Sequence, residues 1–294
     1  MIWDFKGFIM AKILFIFTLL LTMLEAGYIK DSVEAHKKGE HEKVASIYEK
    51  ACNEEKKASA CYNLGVLYMG ATGVKKDIEK SLKYYKEACS NNFISACYNL
   101  ALIYYTGKDV KRDIQKAIIL YEKSCNGNDG AGCNNLGRIY DTADGVKKDI
   151  KKAFEYYKKS CNSYDEMGCS NLAFMYANGN GVKQDIVMAT KLYEKSCNAG
   201  VSIACENLGH MYENGQGVKV DYKKAFELYD KSCKGKDGLK GCNNLGVLYV
   251  NGSGVEQNFT KAKELFKNAC DKGLGLACSN YDLLKDYHNT KANK

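Results

Sequence analysis

Fourteen cysteines fall along the chain in seven close pairs, and the pairs recur at a fixed step; no other feature constrains the fold so tightly. They are Cys52/Cys61, Cys89/Cys97, Cys125/Cys133, Cys161/Cys169, Cys197/Cys205, Cys233/Cys242 and Cys270/Cys278, and from Cys89 to Cys233 each pair follows the last by 36 residues. A period of this length marks stacked supersecondary units, not one or two globular cores. Two cysteines eight residues apart on one straight helix would hold their Cα atoms about 12 Å apart, at about 1.5 Å per residue. A disulfide needs about 4.4 to 6.8 Å, so bridging within a pair requires the chain to turn between its members. Each bridge then ties the end of one helix to the start of the next, and closing so short a loop contributes about 2.5 kcal/mol in the chain-entropy treatment.

Between the pairs one pattern recurs in six copies: Cys61-x-Asn63-Leu64-Gly65-x-x-Tyr68, then Gly73-Val74-x-x-Asp77, then Ser81, Tyr85 and Ala88-Cys89. Numbering each copy from its second-pair cysteine, positions one, four, five and eight form an i, i+3, i+4, i+7 stripe that predicts an amphipathic helix, helix A. Gly or Ala holds position five throughout (Gly65, Ala101, Gly137, Ala173, Gly209, Gly246). Glycine is costly inside a helix, so this predicts close approach of a second backbone. Asp77, Asp113, Asp149, Asp185, Asp221 and Asn258 stand where an N-cap acceptor opens a second helix, helix B. With 27 Gly and no Pro, glycine makes every break.

Both ends depart from the pattern. Lys12 precedes the uncharged run Ile13 to Leu24, too short to span a membrane and followed by Glu25-Ala26; this predicts a signal peptide over 1–26, with Met10 the better start. Export to the periplasm or the extracellular medium follows, with no membrane attachment once the signal is removed, and an oxidising compartment lets the cysteines persist as disulfides. Residues 27–60 read as a capping hairpin around Gly39, residues 61–277 as six repeats, and residues 278–294 as a capping helix in which Asp282 takes the place of the packing Gly, followed by a polar tail.

The Asn-Leu-Gly-x-x-Tyr, Gly-x-Gly-Val, Asp and Lys-Ala elements at this period resemble the Sel1-like repeat, a cousin of the tetratricopeptide repeat. With the paired cysteines and the export signal, the chain is similar to the Helicobacter cysteine-rich proteins over residues 52 to 280. The resemblance implies an all-α fold, a right-handed superhelical solenoid of αα-hairpins cross-linked by disulfides. It also implies penicillin binding with a weak β-lactamase activity. The Ser-x-x-Lys, Ser-Asp-Asn and Lys-Thr-Gly elements of a serine β-lactamase do not occur. His36, His41, His210 and His288 are scattered, and cysteines eight or nine apart do not have zinc-ligand spacing, so neither a metal nor another cofactor is expected.

Opposite the core stripe of helix A, position three is Asn in every unit: Asn63, Asn99, Asn135, Asn171, Asn207, Asn244 and Asn280. Two readings stand. The amides form a ladder that grips an extended peptide along the concave face, or they bond the main chain of a neighbouring repeat and hold the stack. Position six varies instead (Val66, Leu102, Arg138, Phe174, His210, Val247), and a constant grip beside variable side chains is the layout of selective recognition, with Arg138, Phe174 and His210 choosing the partner. The expected partner is a peptide or protein, the alternative a β-lactam or peptidoglycan-like peptide held by the same amides. The net charge of +8 sits largely on Lys of the turns and helix B and reads as a solvated outer face; nucleic acid is disfavoured because no aromatic-basic motif accompanies it. If each bridge closes its own loop, reductant should lower and broaden thermal unfolding repeat by repeat. A single sharp transition with an unchanged midpoint in circular dichroism would refute that.

Overall fold

A computed structural model of the protein describes residues 27–70 and 74–292. The expected signal peptide lies outside the described residues. Among them there are fifteen α-helices and no strand, in two compact units, Met1–Gly127 and Asn128–Lys294. The first holds α1 (27–37), α2 (His41–Asn53), α3 (Ala58–Gly70), α4 (Ile78–Ser90), α5 (Ile94–Thr106) and α6 (Ile114–Asn126). The second holds α7 (Gly130–Thr142), α8 (Ile150–Asn162), α9 (Glu166–Asn178), α10 (Ile186–Asn198), α11 (Ser202–Asn214), α12 (Tyr222–Lys234), α13 (Leu239–Asn251), α14 (Phe259–Asp271) and α15 (Gly275–Ala292). From α3 onward the odd-numbered helices are A helices and the even-numbered ones B helices.

Each hairpin follows from its own residues. The six Asp and Asn caps stand in extended backbone before α4, α6, α8, α10, α12 and α14, and each side chain accepts from the third helical N–H at 2.8–3.0 Å. The backbone N–H of the same residue donates to the carbonyl of the position-eight tyrosine, as Asp77 does to Tyr68 at 3.0 Å and Asn258 to Tyr249 at 2.9 Å, which fixes the A–B turn. At the far end of helix B the chain reverses through a left-handed residue (Asn92, Tyr164, Gly200 or Gly273), with the next N–H reaching back five residues to a helix carbonyl.

That reversal brings the cysteines together. Bridges Cys52–Cys61, Cys89–Cys97, Cys161–Cys169, Cys197–Cys205, Cys233–Cys242 and Cys270–Cys278 have Cα separations of 4.4–4.9 Å, each joining a B helix to the following A helix. Cys125 and Cys133 are disulfide-bonded as well, so none of the cysteines is free.

The core departs from the predicted stripe in two ways. Position five does not admit a second backbone. It seats an aromatic ring: a Cβ added at Gly65, Gly137, Gly209 or Gly246 would come within 2.6–2.7 Å of the ring of Tyr85, Tyr157, Tyr229 or Phe266 from the paired B helix. In the second unit position seven is buried (Ile139, Met175, Met211, Leu248), while the position-eight tyrosines stand half out. A lysine from the first turn of helix B covers those rings, with Nζ 4.5–5.4 Å from the centroids of Tyr68, Tyr104, Tyr140, Tyr212 and Tyr249.

Overpacking the ring seat should be felt. Gly209→Val is expected to cost about 2–3 kcal/mol of unfolding free energy. Gly209→Ala should cost less, because Ala101 and Ala173 occupy the same place in two other repeats. Equal, negligible losses in urea titrations of both variants would contradict the seat.

Candidate functional site

Helical periodicity puts positions minus one, three, six and ten of each A helix on one face. Position three is half-buried, and its amide works between repeats. Asn99 Nδ2 donates to Tyr62 Oη at 3.3 Å, Asn171 to Asn134 Oδ1 at 2.8 Å, Asn244 to Glu206 Oε1 at 3.4 Å and Asn280 to Asn243 Oδ1 at 2.8 Å. Each acceptor is the position-two side chain of the preceding A helix. The holding bonds therefore run to side chains, not to the neighbour's main chain. Three of the amides also stand beside the phenol of the preceding B helix and favour its ionised form: Asn99 at Tyr85, Asn207 at Tyr193 and Asn244 at Tyr229. Burial pushes the Tyr85 phenol up to about 12, and raises Tyr193 and Tyr229 further.

Position six faces outward. Val66, Leu102, Arg138, Phe174 and His210 are exposed, Phe174 by 47%, and Val247 is half-buried. A second outward row stands seven residues earlier: Met167, Ile203 and Leu276 are exposed at position minus one, beside Phe174, His210 and Leu283 respectively. Sequence reasoning passed over this row, although the seven-residue offset that sets it on the same face was readable from the repeat. Large apolar side chains clustered in the open on one face mark an interaction surface.

Two cavities open on this face in the second unit. One, of about 530 Å³, lies among α9, α10 and α11 and gathers Phe174, Asn207 and His210 with Tyr193, Gln184 and Gln216. The other, of about 480 Å³, lies among α13, α14 and α15, where Val247, Phe259, Phe266, Asn280, Leu283 and Leu284 meet. They are one site displayed twice. Phe174, Ile186, Tyr193, Asn207, His210 and Met211 of the first correspond, two repeats on, to Val247, Phe259, Phe266, Asn280, Leu283 and Leu284 of the second. The frame is kept as well, since Gln184 Nε2 donates to the Ala177 carbonyl at 2.8 Å and Gln257 Nε2 to that of Val250 at 2.7 Å. Asn135 and Arg138 lie on α7 and line neither cavity, and Asn63 and Asn99 stand in the first unit.

Between the two cavities α11 carries a buried polar group. Tyr229 Oη donates to Glu213 Oε2 at 2.6 Å, and Glu206 accepts from Asn244. Burial holds the Glu206 carboxyl above its ordinary range, against the pull of Lys240, His210 and the Asn244 bond. Every cysteine is oxidised, and the cavities are lined by amides, one phenol, one imidazole and apolar groups.

The Sel1 repeat matches residues 58–93, 94–129, 130–165, 167–201, 202–237 and 239–274. The chain belongs to the Sel1 repeat family. Among solved structures this Sel1-repeat protein is similar to c5321, a protective antigen present in uropathogenic Escherichia coli strains displaying an SLR fold (27% identity, TM-score 0.73, covering 81% of this chain and 50% of that one). It thus spans half the length of that antigen. A Sel1 repeat protein from Oxalobacter formigenes shares the fold at 24% identity and a TM-score of 0.73, over 82% of this chain and 96% of that one. Helicobacter pylori cysteine rich protein B is 36% identical over 45% of this chain and 95% of its own, with a TM-score of 0.37. No curated protein shows a significant match. The bridged cysteines make the chain a cysteine-rich member of the family, assembled in an oxidising environment. No described helix is long and apolar enough to cross a membrane.

Two substitutions test the polar ladder. Asn171→Ala removes the donor to Asn134 and is expected to cost about 1 kcal/mol of stability; an unchanged urea midpoint would show that the bond holds nothing. For Glu206, a carboxyl whose folded pKa is raised binds its proton longer in the native state than in the unfolded chain. Stability is then fully present below the unfolded pKa and is lost as pH rises through the folded one. Glu206→Gln should therefore be more stable than the parent at neutral pH and no different near pH 3. A variant less stable than the parent at pH 7 would contradict the burial argument.

Proposed function

We propose that this Sel1-repeat protein is an exported interaction scaffold that holds a segment of a partner protein in a groove across the A helices of its second unit. The carrying observation is the pair of equivalent cavities, identical in frame and different in lining, on the face where Met167, Phe174, Ile203, Leu276 and Leu283 stand exposed. Repeat scaffolds bind proteins and peptides through such faces because the frame can stay constant while the lining varies. Export is supported by the predicted signal over 1–26 and by the oxidised cysteines. Penicillin turnover has less behind it, since no serine lines either cavity.

Asn207 serves both readings of the ladder at once. Its amide meets Tyr193, and the same residue lines the cavity, so a structural bond does not remove it from the binding surface.

A photo-crosslinking residue placed at Ile203 or Phe174 should capture a partner polypeptide, whereas one at Val187, exposed on the B helix α10, should not. Phe174→Ala should weaken that partner at least tenfold, about 1.4 kcal/mol, while changing stability by no more than about 0.5 kcal/mol. Capture from Val187 alone, or undiminished binding by Phe174→Ala, would refute the groove.

A further inference from the structure

The two equivalent cavities differ in a way that specifies a ligand. In the one among α9, α10 and α11 the polar groups are the Tyr193 phenol, the His210 imidazole and the amides of Asn178, Gln184, Asn207 and Gln216, with no carboxylate and no lysine among the lining residues. The nearest acids on α11 are otherwise engaged, Glu213 by the Tyr229 hydroxyl and Glu206 by Asn244. In the cavity among α13, α14 and α15 the places of Tyr193 and His210 are taken by Phe266 and Leu283, and Val250 stands where the first has Ala177.

Asn178 and Gln184 each give an N–H to a backbone carbonyl, so the donors not already drawn to the backbone are the Tyr193 hydroxyl, the His210 imidazole and the amides of Asn207 and Gln216. An ionised carboxylate only accepts hydrogen bonds, and leaving water is tolerable for it where several donors converge. No carboxylate lines the cavity to receive a lysine or arginine side chain; Glu206, which acts on Tyr193 and His210 from α11, accepts from Asn244. The second cavity offers no charge and two amides, Asn280 bonded to Asn243 and Gln257 to the Val250 carbonyl; it suits a branched or aromatic side chain.

Resting on the scaffold reading above, we propose that the second unit reads an extended stretch of its partner by two anchors: an Asp or Glu side chain over α9–α11 and a large apolar side chain over α13–α15. The geometry also sets their spacing. Neighbouring A helices pack directly, as α7 does on α9 and α11 on α13. Packed helices lie about 8–10 Å apart, so cavities two repeats apart are separated by about 16–20 Å. An extended chain advances about 3.3 Å per residue, which places the anchors about five or six residues apart.

The test uses the mature chain, disulfides intact, with fluorescein-labelled twelve-residue peptides of Ser, Thr and Gly. These carry one Leu and one Glu separated by two to nine positions, in both orders, and binding is read by fluorescence anisotropy. Peptides with the pair five or six apart should bind at least tenfold tighter than those with it two or nine apart. Glu→Gln in the best peptide should weaken it about tenfold, and Glu→Lys should abolish it. On the protein, His210→Ala should reduce the preference for Glu over Gln, and Leu283→Asp, at a position 69% exposed, should lose the contribution of the Leu without loss of fold by circular dichroism. Affinity independent of spacing, or Lys accepted as well as Glu, would overturn the two-anchor inference. So would failure of every peptide while crosslinking at Ile203 and Phe174 still captures a partner. If the peptides and the crosslinks both fail, the scaffold reading falls with it.

Discussion

Each B helix lays one aromatic ring on the glycine or alanine at position five of its own A helix, and the hydroxyl of that ring must then find a partner in a dry place. Tyr85, Tyr193 and Tyr229 are buried, and a buried phenol is expensive unless it is bonded. The next repeat brings the amides of Asn99, Asn207 and Asn244 beside them, and Glu213 accepts from the Tyr229 hydroxyl. One contact thus sets the depth of the hairpin, the orientation of the invariant amide and the floor of the cavity beside it. Where the ring is Phe266 the hydroxyl is gone and the cavity above becomes apolar, while Asn280 keeps the position-two bond, here to Asn243, that the other amides make. A single Tyr-to-Phe difference between repeats therefore reaches the binding face without disturbing the frame.

The features legible in the sequence were those written within a few residues or repeated at the 36-residue step. The caps could be read because Asp77 and its five counterparts act on an N–H three residues on. The disulfide partners were legible because eight or nine residues of chain can close only through a turn, which the structure supplies at Asn92, Tyr164 and Gly200. What escaped were contacts whose two halves lie in different helices. The exchange of positions seven and eight in the core depends on Lys152 and Lys224 reaching over Tyr140 and Tyr212. The acceptors of the amide ladder sit about one repeat upstream at a position whose identity drifts from Tyr62 to Asn134, Glu206 and Asn243.

The basic character of the chain takes on a different meaning in this light. Lys80, Lys116, Lys152 and Lys261 are exposed and Lys224 half-buried, as a charged outer surface predicts, yet each also covers the position-eight tyrosine of its own hairpin. A cation over a ring at an exposed site is worth about 0.5–1 kcal/mol, comparable to the Asp cap a few residues away. The fourth repeat has Met188 at this place, so its tyrosine has no covering charge from that position.

These stabilising devices share a location, and that location explains what is left free. The bridges fasten the ends of B helices to the starts of A helices, the rings fill the interface within each hairpin, and the caps and lysines close the A–B turn on the other side. None of them uses the outward positions minus one and six. Side chains there contribute little to folding, so Phe174 and Val247, or His210 and Leu283, can alternate between repeats at small cost to stability. Position three cannot, because the amide links one repeat to the next. It is the constant member of the face for a structural reason, and at Asn207 and Asn280 the same side chain gives both cavities a polar edge against which the variable positions are read.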